Sequence, residues 1–160
     1  MRIGTESRCQ DNPSQRNIPQ TMLRRKSMNE HRYELQILEG HLDTFMHVNN
    51  AVYFAILEEA RWDLVTKNGY GMAEMQKCRQ GPVLLEVSLR FKKELRLREK
   101  ITIVTKPQPY RGKIGKIFQQ MLKADGSIAA EAEFTVGFFD RNERKLIAPS
   151  KDWLRAIGVA

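Results

Sequence analysis

The chain has 160 residues, which is enough for one ordinary domain with a buried core. Its hydrophobic fraction of 41% and charged fraction of 29% are those of an average globular protein, and no apolar run approaches the roughly 18 residues that cross a bilayer. A cytoplasmic protein without a membrane span is therefore expected. The net charge of +8 favours an anionic partner, which includes nucleic acids, membrane surfaces and small phosphorylated ligands.

The first thirty residues differ in composition from the rest of the chain. They are rich in Arg, Gln, Asn and Ser, contain Pro13 and Pro19, and show no apolar period. We therefore predict a flexible basic tail over residues 1–30 and one folded domain over residues 31–160. Because the tail has no aromatic side chains to stack on bases and only six scattered cations, no nucleic-acid binding is expected.

The first part of the domain is predicted as a strand, a loop and a long helix. Residues 32–39 alternate polar and apolar side chains, which indicates a half-buried strand, and residues 40–49 have no clean period. Apolar residues at spacings of three and four then predict a helix over residues 50–68. Asn49 or Asn50 is a natural N-cap for this helix.

The second part of the domain is predicted to consist mainly of strands. After a connecting loop at 70–81, alternating patterns predict strands at 82–94 and 99–106, and two further strands at 113–123 and 127–139 flank a turn signal. The last of these strands is long and apolar on both faces in places, so we expect it to be central in the sheet. The pair Asp125-Gly126 indicates a tight turn, and a short amphipathic helix at about 150–157 closes the chain. One long helix and an antiparallel sheet of about five strands give an α+β domain, in which the sheet wraps around the helix.

Two residues with acid–base chemistry, Asp43 and His47, lie four positions apart just before the long helix. The start of a helix offers unpaired backbone N–H groups and the positive end of the helix dipole. Such donors stabilise a carbonyl oxygen that becomes an oxyanion, while a carboxylate acts as nucleophile or activates water. Glu59 lies further into the helix and could project toward the same cavity. This combination favours acyl transfer chemistry.

The run from Asp43 to Arg61 reads D-x-x-x-HVNNA-x-Y-x-x-x-x-EEAR. It resembles the signature of hot-dog-fold acyl-CoA thioesterases of the 4-hydroxybenzoyl-CoA thioesterase-like family, and it is similar also to plant acyl-ACP thioesterases. The resemblance covers roughly residues 31–157. It implies the hot-dog fold and hydrolysis of acyl-CoA or acyl-ACP thioesters to a free acid and a thiol, with no metal or redox cofactor. It also implies a homodimer or homotetramer with active sites at the dimer interface.

The resemblance assigns catalytic roles to three residues. Asp43 matches the aspartate that is nucleophile or general base in the bacterial enzymes, and His47 matches the histidine of the plant catalytic set. Glu59 matches a helix glutamate of catalytic importance in the plant group. Met46 replaces a glycine of many bacterial members, and Phe45 replaces an asparagine of the plant members, which suggests a more apolar acyl pocket.

The substrate is accordingly expected to contact four residues, namely Phe45, Met46, Asn50 and Tyr53, with helix N-terminal amides as oxyanion donors. Several alternatives remain open. Asp43 can simply cap a turn and His47 can pin the loop. The two glutamates of the helix can be solvated surface charges. The same fold could also serve as a non-catalytic acyl-CoA-binding module, or as a hydratase or dehydratase, although the histidine setting of those enzymes is not found here.

Overall fold

The computed structural model describes residues 30–159, so the predicted tail at 1–30 lies outside the described residues apart from Glu30. Six strands and three helices are present in the described part. The strands are β1 (His31–Gln36), β2 (Gln80–Phe91), β3 (Lys100–Pro107), β4 (Ile114–Lys123), β5 (Ile128–Asp140) and β6 (Lys145–Ile147). The helices are α1 (Asn50–Lys67), α2 (Met72–Cys78) and α3 (Lys151–Ala156).

All strands belong to one antiparallel sheet with the order β1-β3-β4-β5-β2. The three residues of β6 pair with the end of β5, next to the point where β4 stops. β1 and β2 are the two edges of this sheet, while β5, predicted as an apolar strand, is interior. The predicted α+β hot-dog architecture is confirmed, with six strands instead of about five.

The long helix α1 fills the concave face of the sheet. Its side chains at spacings of three and four are buried, as Tyr53, Leu57, Ala60 and Leu64 show with at most 6% exposure. Tyr53, Leu57 and Ala60 share one core with strand residues such as Phe134, whereas Leu64 belongs to a second core around Trp153. None of the helices in residues 30–159 is long and apolar enough to cross a membrane.

Two elements were not predicted. The segment 70–81, predicted as a loop, contains the helix α2. Its seven residues are too few to show a clear helical period. The buried side chain of Met75 attaches α2 to the fold by packing against Gly81 of β2. Strand β6 is only three residues long, so no alternation identifies it. The predicted strand at 32–39 is shorter in the structure, since a 3-10 turn occupies Glu39–His41.

The closing helix α3 is confirmed, and its buried Trp153 packs against Phe138 of β5 with ring centroids 5.7 Å apart. The buried Trp153 ring donates its Nε1–H to the hydroxyl of Tyr110 over 3.0 Å. The Tyr110 ring lies so close to Gly115 of β4 that a Cβ there would be only 2.5 Å from a ring carbon. The absence of a side chain at Gly115 therefore allows Tyr110 to reach α3.

Candidate active site

A tight turn positions Asp43 just before α1. Its Oδ1 accepts the Phe45 N–H over 2.8 Å, and its backbone carbonyl accepts the Met46 N–H over 3.0 Å. The Asp43 N–H in turn donates to the His47 carbonyl over 2.9 Å, and Met46 adopts the left-handed backbone with φ of 61°. Asp43 is thus a turn cap through one carboxylate oxygen, while Oδ2 accepts no hydrogen bond from residues 30–159.

The imidazole of His47 is held by the segment that follows β2. Its Nε2 lies 2.8 Å from Oε2 of Glu94, and the other oxygen of Glu94 accepts the Nε–H of Arg96 over 2.7 Å. The backbone joins the same segments, because the Val48 N–H donates to the Leu95 carbonyl over 2.9 Å. His47 is therefore oriented by Glu94 at the entrance to α1.

The first turn of α1 leaves one backbone donor free for a ligand. Asn49 is the N-cap, and its Oδ1 accepts the Ala51 N–H over 2.9 Å, while its carbonyl accepts the N–H groups of Val52 and Tyr53. Among residues 30–159, the Asn50 N–H has no acceptor. This amide stands at the positive end of the helix dipole, which is the setting that stabilises an oxyanion.

These groups surround an open cleft of about 480 Å³. Its lining comes from the turn, from the start of α1 and from the end of β2: Asp43, Phe45, His47, Val48, Asn50, Tyr53, Phe91, Lys92, Lys93 and Glu94. The ring of Tyr53 packs edge-on against Phe91 with centroids 5.1 Å apart. Burial raises the pKa of Tyr53, so its hydroxyl remains protonated at neutral pH.

Two of the predicted site residues do not line this cleft. Met46 occupies the tip of the turn with 62% of its surface exposed. Glu59 lies on the flank of α1 that faces β1, where it accepts the hydroxyl of Tyr33. This hydrogen bond raises the pKa of Tyr33 to about 12. Glu58, one residue earlier, lies on the other flank, which faces β2.

Phe91, Lys93 and Glu94 also line the cleft, and no local sequence pattern points to them. They lie in the predicted strand at 82–94, far along the chain from Asp43, and reach the cleft only because the chain after β2 pairs with the segment before α1. Lys93 forms no ion pair within residues 30–159, whereas the Lys92 ammonium lies 2.8 Å from Glu131. Among the described residues, Lys93 is therefore the one lysine of the cleft without an ion-pair partner.

Comparison with known proteins places the chain in a family. The family model of the thioesterase-like superfamily matches residues 37–157. The chain belongs to this superfamily. It is 30% identical over 116 residues to the long-chain acyl-CoA thioesterase FadM of Escherichia coli, a match that covers 72% of this chain and 87% of that protein. The predicted membership of the hot-dog thioesterases is thereby confirmed, and the chain is a thioester hydrolase.

Solved structures agree with this assignment. The crystal structure of the probable thioesterase YbaW from Escherichia coli superposes with a TM-score of 0.70 at 26% identity, covering 81% of this chain and 98% of that one. A hypothetical protein from Staphylococcus aureus, solved in complex with CoA, superposes with a TM-score of 0.74 at 19% identity, covering 79% and 80% of the two chains. The second likeness shows the shared fold.

Proposed function

We propose that the chain hydrolyses acyl-CoA thioesters in the Asp43 cleft. The observation that carries this proposal is that the cleft combines the carboxylate of Asp43 with the unpaired N–H of Asn50 at the start of α1. The amide stabilises the carbonyl oxygen as it gains charge. In one route Asp43 attacks the carbonyl carbon, the C–S bond breaks, and water then hydrolyses the resulting anhydride; in the other Asp43 takes a proton from a water that attacks the carbonyl carbon directly. In both routes the carrier leaves as a thiolate, which takes up a proton, and the acyl group is released as the free acid. His47, whose imidazole is held by Glu94, orients the turn and assists the reaction.

The charge and surface of the cleft support a CoA ester as the substrate. The free ammonium of Lys93 suits a phosphate group, and the exposed rings of Phe45 and Phe91 suit an apolar acyl chain. The relative from Escherichia coli is named as a long-chain acyl-CoA thioesterase. We propose a fatty acyl-CoA as the first substrate to test, with acyl carrier protein thioesters as the alternative, and a role in fatty acid metabolism.

A panel of acyl-CoA esters of increasing chain length tests the reaction through release of the thiol. We expect turnover by the intact chain and a loss of at least about a hundredfold in kcat for Asp43→Asn, because the amide neither attacks nor accepts a proton. The matched control is Asp125→Asn in the β4–β5 turn, where Oδ1 of Asp125 likewise accepts the N–H two residues ahead, from Ser127, over 2.8 Å.

Unimpaired hydrolysis by a folded Asp43→Asn protein would contradict the assignment. Tight binding of acyl-CoA without turnover would favour the alternative of a non-catalytic binding module. The hydrogen bond from the Phe45 N–H to Asp43 is the feature that fits this alternative, since it gives Asp43 a structural task.

We propose that two copies of this chain pair through β2 in the cytoplasm as a homodimer, and that dimers can associate further into a homotetramer. β2 is an edge strand, and its residues Leu84, Val87 and Phe91 are 40–54% exposed. Their partners across the strand pair belong to the core, so they project to the same side of the sheet as α1. An uncovered apolar edge of this kind is suited to a second copy.

A further inference from the structure

A second cavity, of about 110 Å³, lies between the carboxyl-terminal half of α1 and the elements α2, β2 and α3. Its walls are largely apolar and include Trp62, Met75, Leu84 and Trp153. It shares no lining residue with the Asp43 cleft. The proposed reaction therefore makes no use of this cavity.

One cation, Arg61, borders this cavity. Its guanidinium group lies 4.0 Å from the centroid of the Phe134 ring, and its Nη1 donates to Oε1 of Gln119 over 2.7 Å. Gln119 is fully buried, and its Nε2 donates to the Leu57 carbonyl and to the Thr105 hydroxyl over 3.1 and 2.8 Å. The buried amide is thus fixed with its oxygen toward Arg61, and it accepts one of the five guanidinium donors.

No carboxylate of residues 30–159 lies within ion-pair distance of Arg61. Glu58 is exposed one turn earlier on α1, at the edge of the same cavity. Burial lowers the pKa of Arg61 to about 10, which still leaves the group charged at neutral pH. A cation that is largely removed from water, and that has no anionic partner in the part of the chain that the structure describes, favours an anion that can reach it.

We propose that this cavity binds a small carboxylate, with its oxygens on the Arg61 guanidinium and its apolar body between the two tryptophans. Planar guanidinium and carboxylate groups form paired hydrogen bonds, which accounts for the head group. The space is somewhat smaller than an apolar cavity of about 150 Å³ that accepts benzene, which limits the body to a short alkyl chain or a small ring. The proposal does not depend on the reaction at Asp43.

Trp62 and Trp153 are the two tryptophans of the chain, and both line the cavity, so intrinsic fluorescence reports on it directly. The full chain is titrated with hexanoate and, separately, with 1-hexanol. We expect a saturable fluorescence change for hexanoate with a Kd on the order of millimolar, and binding of the alcohol weaker by about tenfold or more, because the alcohol lacks the charge. Equal affinities for the acid and the alcohol would overturn the proposal.

Variants locate the bound carboxylate. Arg61→Met should weaken hexanoate binding by about tenfold or more, while Arg155→Met, which removes an exposed guanidinium of α3 paired with Asp152, should not change it. If Arg61→Met fails to fold, Arg61→Lys is used instead. The site is supported if Arg61→Lys binds hexanoate more weakly than the parent chain does, but more tightly than the parent chain binds 1-hexanol. An unchanged affinity for hexanoate in a folded Arg61→Met protein would overturn the proposal. A loss of hexanoate binding in Asp43→Asn would also overturn it, because that result would place hexanoate in the Asp43 cleft.

Discussion

The turn that carries Asp43 depends on an unusual backbone at Met46. With φ of 61°, Met46 adopts a conformation that side chains with a Cβ rarely take, and its exposed side chain makes little compensating contact. This backbone strain occurs where the chain reverses direction and brings His47 toward Glu94. Glycine, which the resemblance places at this position in many bacterial relatives, would adopt the same conformation without strain.

Substitution of Met46 tests whether this backbone is maintained in solution. We expect Met46→Val to lower the free energy of unfolding by about 1–2 kcal/mol, because a β-branched residue fits the left-handed region worst, and Met46→Gly to change it by no more than about 1 kcal/mol. Urea unfolding at neutral pH measures both. Thr44→Val, at an exposed position of the same turn, is the control. A Met46→Val protein as stable as the control would show that the turn adopts another conformation.

At this scale, the predicted site residues that line the cleft are those that lie in one local run of the sequence. Asp43, His47, Asn50 and Tyr53 meet because a turn and the first helical turn bring near neighbours together. Which glutamate of α1 faces β1 and which faces β2 depends instead on how the helix is rotated against the sheet. The sheet topology sets that orientation, and the spacing of residues within one helix does not predict the sheet topology.

At the scale of secondary-structure elements, α1 has a defined start. Either Asn49 or Asn50 could be its cap on sequence grounds, and the structure assigns the role to Asn49, whose side chain bonds to the Ala51 N–H. Asn50 is instead the first helical residue, with an exposed side chain at the cleft. The two neighbours therefore differ in task, since Asn49 caps the helix and Asn50 lies at the cleft.

Matched alanine substitutions separate these tasks. Asn49→Ala should lower the free energy of unfolding by about 1 kcal/mol, since a cap is lost, whereas Asn50→Ala should leave it within about 0.5 kcal/mol. Thermal and urea unfolding of the two variants give the comparison. Equal destabilisation by both changes would contradict the assignment of the cap to Asn49.

The elements that the sequence did not predict are the short ones. The apolar spacing of α1 repeats over several helical turns, and β5 is an apolar run of thirteen residues, so both are long enough to be predicted. In α2 and β6 the chain is too short for a period to emerge. Their conformation depends on distant contacts, such as that of Met75 with Gly81 or the pairing of Leu146 with Phe139.

At the scale of the whole molecule, β2 is an edge strand that carries exposed apolar side chains along its length. Replacing Val87 with lysine puts a charge among the apolar side chains of this edge, so we expect Val87→Lys to dissociate the proposed dimer. The control is Ser88→Lys, which lies on the opposite face of the same strand beside Glu133. Sedimentation velocity over a range of concentrations measures both proteins and the parent. A monomeric parent chain would contradict the dimer.

The order of strands in the sheet also has a consequence for how the chain is made. β1 pairs with β3, and β2 pairs with β5, so none of the strands before residue 100 has its partner among the others. While the ribosome is still synthesising the second half, the first half can form helix but no sheet. Long loops must then close before either edge strand is bonded, which is the pattern of slow-folding topologies. The apolar strand β2 therefore has no strand partner until β5 has left the ribosome. A chaperone that shields β2 would act during that interval.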